Sequence, residues 1–361
     1  MKKNSLYLGS YFGIPVSVHW SFLLLIFYFV WISFKQGQTS MQLFTQILFV
    51  LSVFLCVLLH EFGHALAAKK YGIKTHSIVL LPIGGLASLE KLPSDPKQEL
   101  WVAFAGPLVN IVIALLLLPF VSLDLEQMSN SISGIQPFLT NLFFTNIILS
   151  VFNLLPAFPM DGGRVLRALL SFKLPAHKAT QIAAWVGKSF ALIFVFLGLF
   201  VPNVSPFLAL IGVFIFMGAG AESNAKQKEF ELEGLLVKDI LMTKYEILYS
   251  QDPIQKAIDL LLASSAKEFV VLNQNNEYEG VLTRDNLLKI LAQKNTEALV
   301  QEAITKIQPI GLNDKVAEVY SAKAASESTF WPVMHNNEIV GVLDLENILE
   351  YVLVKNAQLN S

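Results

Sequence analysis

Cysteine occurs once in the 361 residues, as Cys56. That excludes an internal disulfide framework and any Cys-rich metal cluster. Charge is scarce as well: 15% of residues are Asp, Glu, Lys or Arg, against about 25% in an average soluble domain. The net charge of −2 argues against a general nucleic-acid binder, and no nucleic-acid partner is expected. Acids are rarest in the first part of the chain. Residues 1–221 hold 7 Asp/Glu against 13 Lys/Arg, whereas residues 222–361 hold 21 against 13. No small-residue cleavage site follows the first apolar run, so that run does not read as a signal peptide.

What is abundant is apolar sequence, at 54% of the chain. The length allows two or three structural units, and the apolar excess is confined to the first part. Six runs, at 17–34, 42–68, 100–122, 138–157, 179–201 and 205–221, approach or exceed the ~20 residues that span a bilayer. Residues 78–90 are apolar but too short to span. Their β-branched start and the pair Gly84-Gly85 suggest a re-entrant β-hairpin, tolerable where protein or water covers its backbone. The expected fold is an α-helical membrane bundle of six transmembrane helices with that hairpin, followed by a soluble α/β module. With the N-terminus inside, the inner segments carry thirteen cations: Lys2, Lys3, Lys69, Lys70, Lys74, Lys91, Lys97, Arg164, Arg167, Lys173, Lys178, Lys226 and Lys228. The outer segments carry Lys35 alone. This bias places both termini in the cytoplasm, with the chain in the plasma (inner) membrane.

The second apolar run ends in His60-Glu61-Phe62-Gly63-His64. Residues four apart share a helix face, so both imidazoles can reach one ion. Glu61 stands beside them as a base for a metal-activated water. The alternative is a polar patch at a helix end. Ionisable groups at membrane depth are costly and functional by default, which favours the metal. A third protein ligand is then needed. Glu90, Asp95, Glu99, Asp124 and Glu126 lie in loops or at span edges, which leaves Asp161. Pro156 and Pro159 break the helix before it, and Gly162-Gly163 permit a tight turn back toward the histidines.

These residues resemble the site-2-protease (M50-type) intramembrane zinc metalloproteases. The matches are HEFGH at 60–64, Asn-x-x-Pro-x-x-Pro-x-Asp-Gly-Gly-Arg at 153–164, Gly-Pro-Leu-Val-Asn at 106–110 and Gly-Ile-Pro-Val-x-Val-His-Trp at 13–20. The resemblance implies one Zn2+ per chain on His60, His64 and Asp161, with Glu61 as general base. It also implies that Asn153 and Asn110 lie near the site. Asn153 is a candidate catalytic residue that donates to the oxyanion of the tetrahedral intermediate, or else forms an interhelical hydrogen bond. Asn110 is a candidate substrate contact, with the interhelical bond as its alternative. Gly84 and Gly85 are candidate substrate-binding residues, because a strand at 78–90 offers an edge to an unwound substrate. A histidine at the position of His19 is usual in the family, and a hydrogen bond to a neighbouring helix is expected of it. Membrane lipid and a transmembrane protein substrate are the implied partners, the substrate being a membrane-anchored regulator.

The remainder carries an internal repeat of about 61 residues. Phe269-Val-Val-Leu272 pairs with Phe330-Trp-Pro-Val333, and Glu277–Leu288 pairs with Glu338–Leu349. Each unit reads helix, strand, polar turn, strand, helix. This half resembles a tandem CBS-domain pair. The resemblance implies an adenosine nucleotide such as ATP between the halves and a homodimer. The family's ribose motif maps to Thr283 and Asn286, and in the second unit to Asp344 and Asn347, where the hydroxyl is missing. All four are candidate nucleotide contacts; Thr283 and Asp344 also suit helix N-caps. The organisation expected is a membrane protease domain at 1–221, a charged helical linker at 222–235 and a CBS pair at 236–361, divided into 236–294 and 295–355. The competing function class is a CBS-regulated membrane transporter or channel with a metal site. It is disfavoured because the acids cluster at one place and a transporter has no use for Glu61.

Overall fold

The computed structural model describes residues 5–82, 84–90, 93, 95–121, 134–263, 266–293, 297–326 and 329–359. The cations Lys2, Lys3 and Lys91 and the expected division at 294/295 lie outside them. The chain forms two compact units, Met1–Lys226 and Gln227–Ser361.

The first unit opens with strands β1 (Ser5–Tyr11) and β2 (Ile14–His19), then helices α1 (Phe22–Lys35) and α2 (Ser40–Lys70). Strands β3 (Thr75–Leu81) and β4 (Gly84–Leu89) follow, and then α3 (Pro96–Leu117), α4 (Ile135–Asn153), α5 (Asp161–Ser171), α6 (Ala176–Phe200) and α7 (Phe207–Glu231). The four strands form one sheet in the order β1-β2-β3-β4. The expected hairpin at 78–90 is therefore half of a larger sheet. Strand β2 runs parallel to β3, with Val16 opposite Ile78, and β4 is left at the edge. Ile14, Val16 and Ile78 bury one face of this sheet against Phe62 and Ala65 of α2.

Helix starts follow local chemistry. Thr39 caps α2, its hydroxyl accepting from Gln42 N–H while the Gln42 side chain accepts from Thr39 N–H. Asp95 caps α3 by accepting from Lys97 N–H and Gln98 N–H, with Pro96 at the first helical position. Among the described residues, five helices are long and apolar enough to cross a membrane: α2, α3 with its 3-10 extension to Phe120, α4, α6 and α7. The expected first span differs. Residues 17–19 belong to β2, and α1 has 14 residues. It is about 21 Å long, short of a ~30 Å hydrocarbon core. The run read at 17–34 crosses the strand-to-helix junction at His19–Phe22, and length alone does not mark the change of backbone there. Large apolar side chains on the long helices, among them Phe44, Leu116, Phe196 and Phe214, face outward. That is the surface of a multi-pass membrane protein rather than of a soluble bundle.

The second unit contains α8 (Val237–Ile240), β5 (Ile247–Tyr249), α9 (Ile254–Ala263), β6 (Glu268–Leu272), β7 (Tyr278–Thr283) and α10 (Arg284–Ala292). It continues with β8 (Ile304–Thr305), β9 (Ile310–Gly311), α11 (Val316–Ser326), β10 (Phe330–His335), β11 (Glu338–Asp344) and α12 (Leu345–Leu359). The sequence repeat becomes two matching sheets, β5-β6-β7-β8 and β11-β10-β9. In each, a hairpin (β6-β7 or β10-β11) carries a parallel strand on its first member. Val270, Val281, Phe330 and Val342 form a core shared between the halves. Leu232 and Leu235, within the stretch read as a linker, pack into the core of the second half.

Candidate metal centre and tail cleft

His60 and His64 project from α2 one turn apart, and both are 6% exposed. Asp161 opens α5, where Gly162 lets the helix start against the carbonyls of Leu154 and Leu155; a Cβ there would lie 2.1 Å from Leu155 O. One Asp161 carboxylate oxygen lies 3.1 Å from each Nε2, and the two Nε2 atoms are 3.2 Å apart. These three residues are a group that can hold a metal ion among the described residues. The carboxyl of Asp161 is held well below its usual range. Burial alone would push it up, and the adjacent imidazoles of His64 and His60 outweigh that.

The donor set fits zinc on observations of this fold. Two neutral imidazoles and a carboxylate suit a borderline ion with an open fourth position. Each ring is held from behind on Nδ1, His60 by Asn110 Oδ1 at 2.5 Å and His64 by the Val102 carbonyl at 2.7 Å. Both Nε2 atoms are thereby turned toward Asp161. Opposite them α3 presents Gly106, whose absent Cβ would sit 2.2 Å from His64 Nε2 and 2.7 Å from His60 Nε2. That space is kept open by glycine.

A cavity of about 630 Å³ contains the cluster together with Glu61, Gly84, Gly85 and Asn153. Strand β4 passes directly over Glu61: Ala87 N–H donates to Glu61 Oε2 at 3.2 Å, and a Cβ on Gly85 would lie 2.5 Å from Glu61 Cγ. Asn153 ends α4 at the cavity wall. Asn110 is among the residues lining the cavity, is itself buried, and its amide bonds to His60 and to Asn146 of α4. Among the described residues His19 bonds locally, Nδ1 to Ser21 Oγ at 2.6 Å at the start of α1, rather than to a neighbouring helix. Behind the site, buried Arg167 of α5 pairs with Glu99 of α3 and with Glu222 of α7 at 3.2 Å. This ion-pair network was not foreseen, since Arg167 reads in sequence as one of many inner-face cations.

In the tail, a cleft of about 960 Å³ is lined by Asp344 and Asn347 but not by Thr283 or Asn286. Thr283 caps α10, accepting from Asn286 N–H, and the Asn286 amide donates to Ala303 O and Thr305 Oγ1. Asp344 likewise accepts from Asn347 N–H at 2.6 Å. The cleft carries Glu246, Glu268, Asp344, Glu346 and Glu350 against Lys244 and Lys267. Burial, and then the Asp344 carboxylate, push the Glu268 carboxyl up.

Comparison with known proteins adds to this geometry. The profile of Peptidase family M50 matches residues 48–195, and that of the CBS domain matches 237–293. A zinc metalloprotease of Methanocaldococcus jannaschii is 35% identical over 338 residues, covering 93% of each chain. Stage IV sporulation protein FB of Bacillus subtilis is 32% identical over 184 residues, half of this chain and 60% of that one. Among solved structures, the site-2 protease from M. jannaschii is 40% identical, covering 61% of this chain and 95% of that chain, with a TM-score of 0.45.

Proposed function

Because the chain belongs to the M50, site-2 protease family of zinc metalloproteases, we propose that it hydrolyses a peptide bond in or near a transmembrane segment of a membrane-anchored regulatory protein. The observation that carries this reading is the meeting of His60, His64 and Asp161 with Glu61 beneath the edge of β4 in one cavity. His60, His64 and Asp161 are the proposed zinc ligands. Zinc supplies the Lewis acidity that makes water nucleophilic near neutral pH. Glu61 takes the proton of the attacking water and returns it to the leaving amine nitrogen. Asn153 faces the cavity and donates its amide to the developing oxyanion.

A helical substrate must unwind before its carbonyl can be attacked, because each carbonyl is bonded within the helix. The edge strand β4, with Gly84 and Gly85, is the proposed holder of the unwound segment through backbone pairing. The transporter class weighed earlier does not describe a member of a metalloprotease family.

The sixth span is proposed to be α1 together with the extended residues that precede it, which add about 3.3 Å each to a helix of about 21 Å. The cation bias supports cytoplasmic termini and a plasma (inner) membrane location. An adenosine nucleotide is the proposed ligand of the tail cleft, at Asp344 and Asn347, and its binding is proposed to alter cleavage. The surplus of carboxylates there favours AMP over ATP. Cleavage that does not change on adding either nucleotide, to protein shown calorimetrically to bind it, contradicts the regulatory part. A homodimer through the tail is supported by exposed Leu353 and Val354 on α12, and sedimentation of the full chain in detergent tests it.

The experiment for the main reading compares membrane proteomes of a wild-type strain and a Glu61→Gln strain. A membrane-anchored regulator is expected to accumulate uncut in the variant. Identical profiles would count against the reading.

A further inference from the structure

We propose that Asn146 is a positioning residue for the metal centre: through Asn110 it fixes the ring proton of His60 on Nδ1, so that Nε2 is left free for the ion. The proposal rests on the reading of His60, His64 and Asp161 as zinc ligands.

The direction of every bond in this chain is set from its far end. The Leu142 carbonyl can only accept a hydrogen bond. It lies 2.9 Å from one end of the Asn146 amide, so that end is the NH2 group, which also reaches Cys56 Sγ at 3.4 Å. The other end, Oδ1, therefore faces Asn110 and accepts from its Nδ2 at 2.8 Å. Asn110 is thereby turned with Oδ1 toward His60 Nδ1, 2.5 Å away. An oxygen acceptor there requires the hydrogen on Nδ1, and a neutral ring then keeps its lone pair on Nε2. Reversing the Asn146 amide would set its oxygen against the Leu142 carbonyl. Asn110 and Asn146 have no exposed surface, so bulk water does not relieve a wrong orientation.

The lock answers a specific competition. His60 Nε2 lies 3.1 Å from the Asp161 carboxylate. A charge-assisted hydrogen bond at that distance draws the ring hydrogen onto Nε2 when no ion is bound. A ring in that tautomer must rearrange before it can ligate. His64 is protected by a backbone carbonyl, which cannot turn around. The acceptor behind His60 is an asparagine, which can, unless a second amide holds it.

The test is the zinc dissociation constant of the full-length protein in detergent, measured by chelator competition. Asn146→Ser is the informative change, because the shorter hydroxyl, which can donate or accept, no longer imposes one orientation on the Asn110 amide. Zinc affinity is expected to fall about 10- to 100-fold, the range for lost support behind a metal-bound imidazole. Asn110→Asp should make Asn146 redundant, since a carboxylate accepts through either oxygen. In the N110D background, N146S should then change affinity by no more than about threefold, a non-additive double-mutant cycle. Affinity unchanged in N146S, or reduced by the same factor in both backgrounds, overturns the proposal. Should the serine variant not fold, Asn146→Thr carries the same expectation and the same refutation. Zinc affinity in His60→Ala equal to that of wild type would instead overturn the ligand reading on which the proposal rests.

Discussion

A single methyl group at Gly106 should empty the metal centre. The built Cβ lies 2.2 Å from His64 Nε2 and 2.7 Å from His60 Nε2, where ordinary contact begins near 3.4 Å. Neither ring can retreat freely, because each is tied on Nδ1 to α3 itself, through Asn110 and the Val102 carbonyl. Relief requires either that α3 move away from α2 or that a ring break its Nδ1 bond. Overpacking a tight interior costs about 1–3 kcal/mol, and leaving a buried partner unbonded costs about 1–3 more. A total of about 2–6 kcal/mol corresponds to roughly 1.5 to 4 powers of ten in zinc affinity. The assay is metal content of purified Gly106→Ala after dialysis at limiting free zinc, beside thermal unfolding in a chelator. The variant is expected to carry little zinc and, since the clash is present without the ion, to unfold below the wild-type temperature in the chelator as well. A variant that holds one zinc per chain and cleaves like wild type would refute the packing argument.

Arg167→Met should leave the Glu99 and Glu222 carboxylates without their buried partner and destabilise the bundle by about 3–5 kcal/mol, read by thermal unfolding. Adding Glu99→Gln should recover part of that loss; no recovery would contradict the pairing. Gly85→Ala places a Cβ 2.5 Å from Glu61 Cγ and should lower turnover by about 10- to 100-fold through the displaced base, with zinc content unchanged. Undiminished cleavage would remove β4 from the account of the site. Glu268→Gln tests the tail cleft. Its carboxyl is raised in the fold, by burial and by Asp344, so the folded state favours the protonated acid. The penalty for ionising it is absent below the ordinary carboxylate pKa and grows as pH rises above it. The variant should therefore raise the tail's unfolding temperature at about pH 7 and leave it unchanged near pH 3.5. An equal gain at both would mean that packing, not charge, is responsible.

The ligand cluster was legible because two signals coincide. The i, i+4 spacing of His60 and His64 fixes a shared helix face, and a stretch with seven acids leaves few candidates for the third ligand. Gly106 stood within a motif, but its reason is a distance to two rings on another helix, which no local pattern contains. Asn146 lay in an ordinary apolar run, and its importance appears once α2, α3 and α4 are assembled. The bundle was read helix by helix from long apolar runs, whereas β1 and β2 were missed. Their residues alternate too briefly to stand out, and β2 merges with the apolar stretch of α1. In the tail the repeat gave the two-sheet plan. The nucleotide residues were less accessible, because Thr283 and Asp344 carry a capping pattern that serves helix starts whether or not a ligand is near.

The central claim is that Glu61 moves a proton while His60, His64 and Asp161 hold the ion. The direct measurement is zinc stoichiometry and cleavage of a reconstituted membrane substrate, in one preparation each of wild type and Glu61→Gln. One zinc per chain in both proteins, with cleavage in wild type alone, is the predicted result. Glu61→Gln protein that still cleaves at the wild-type rate would contradict the account.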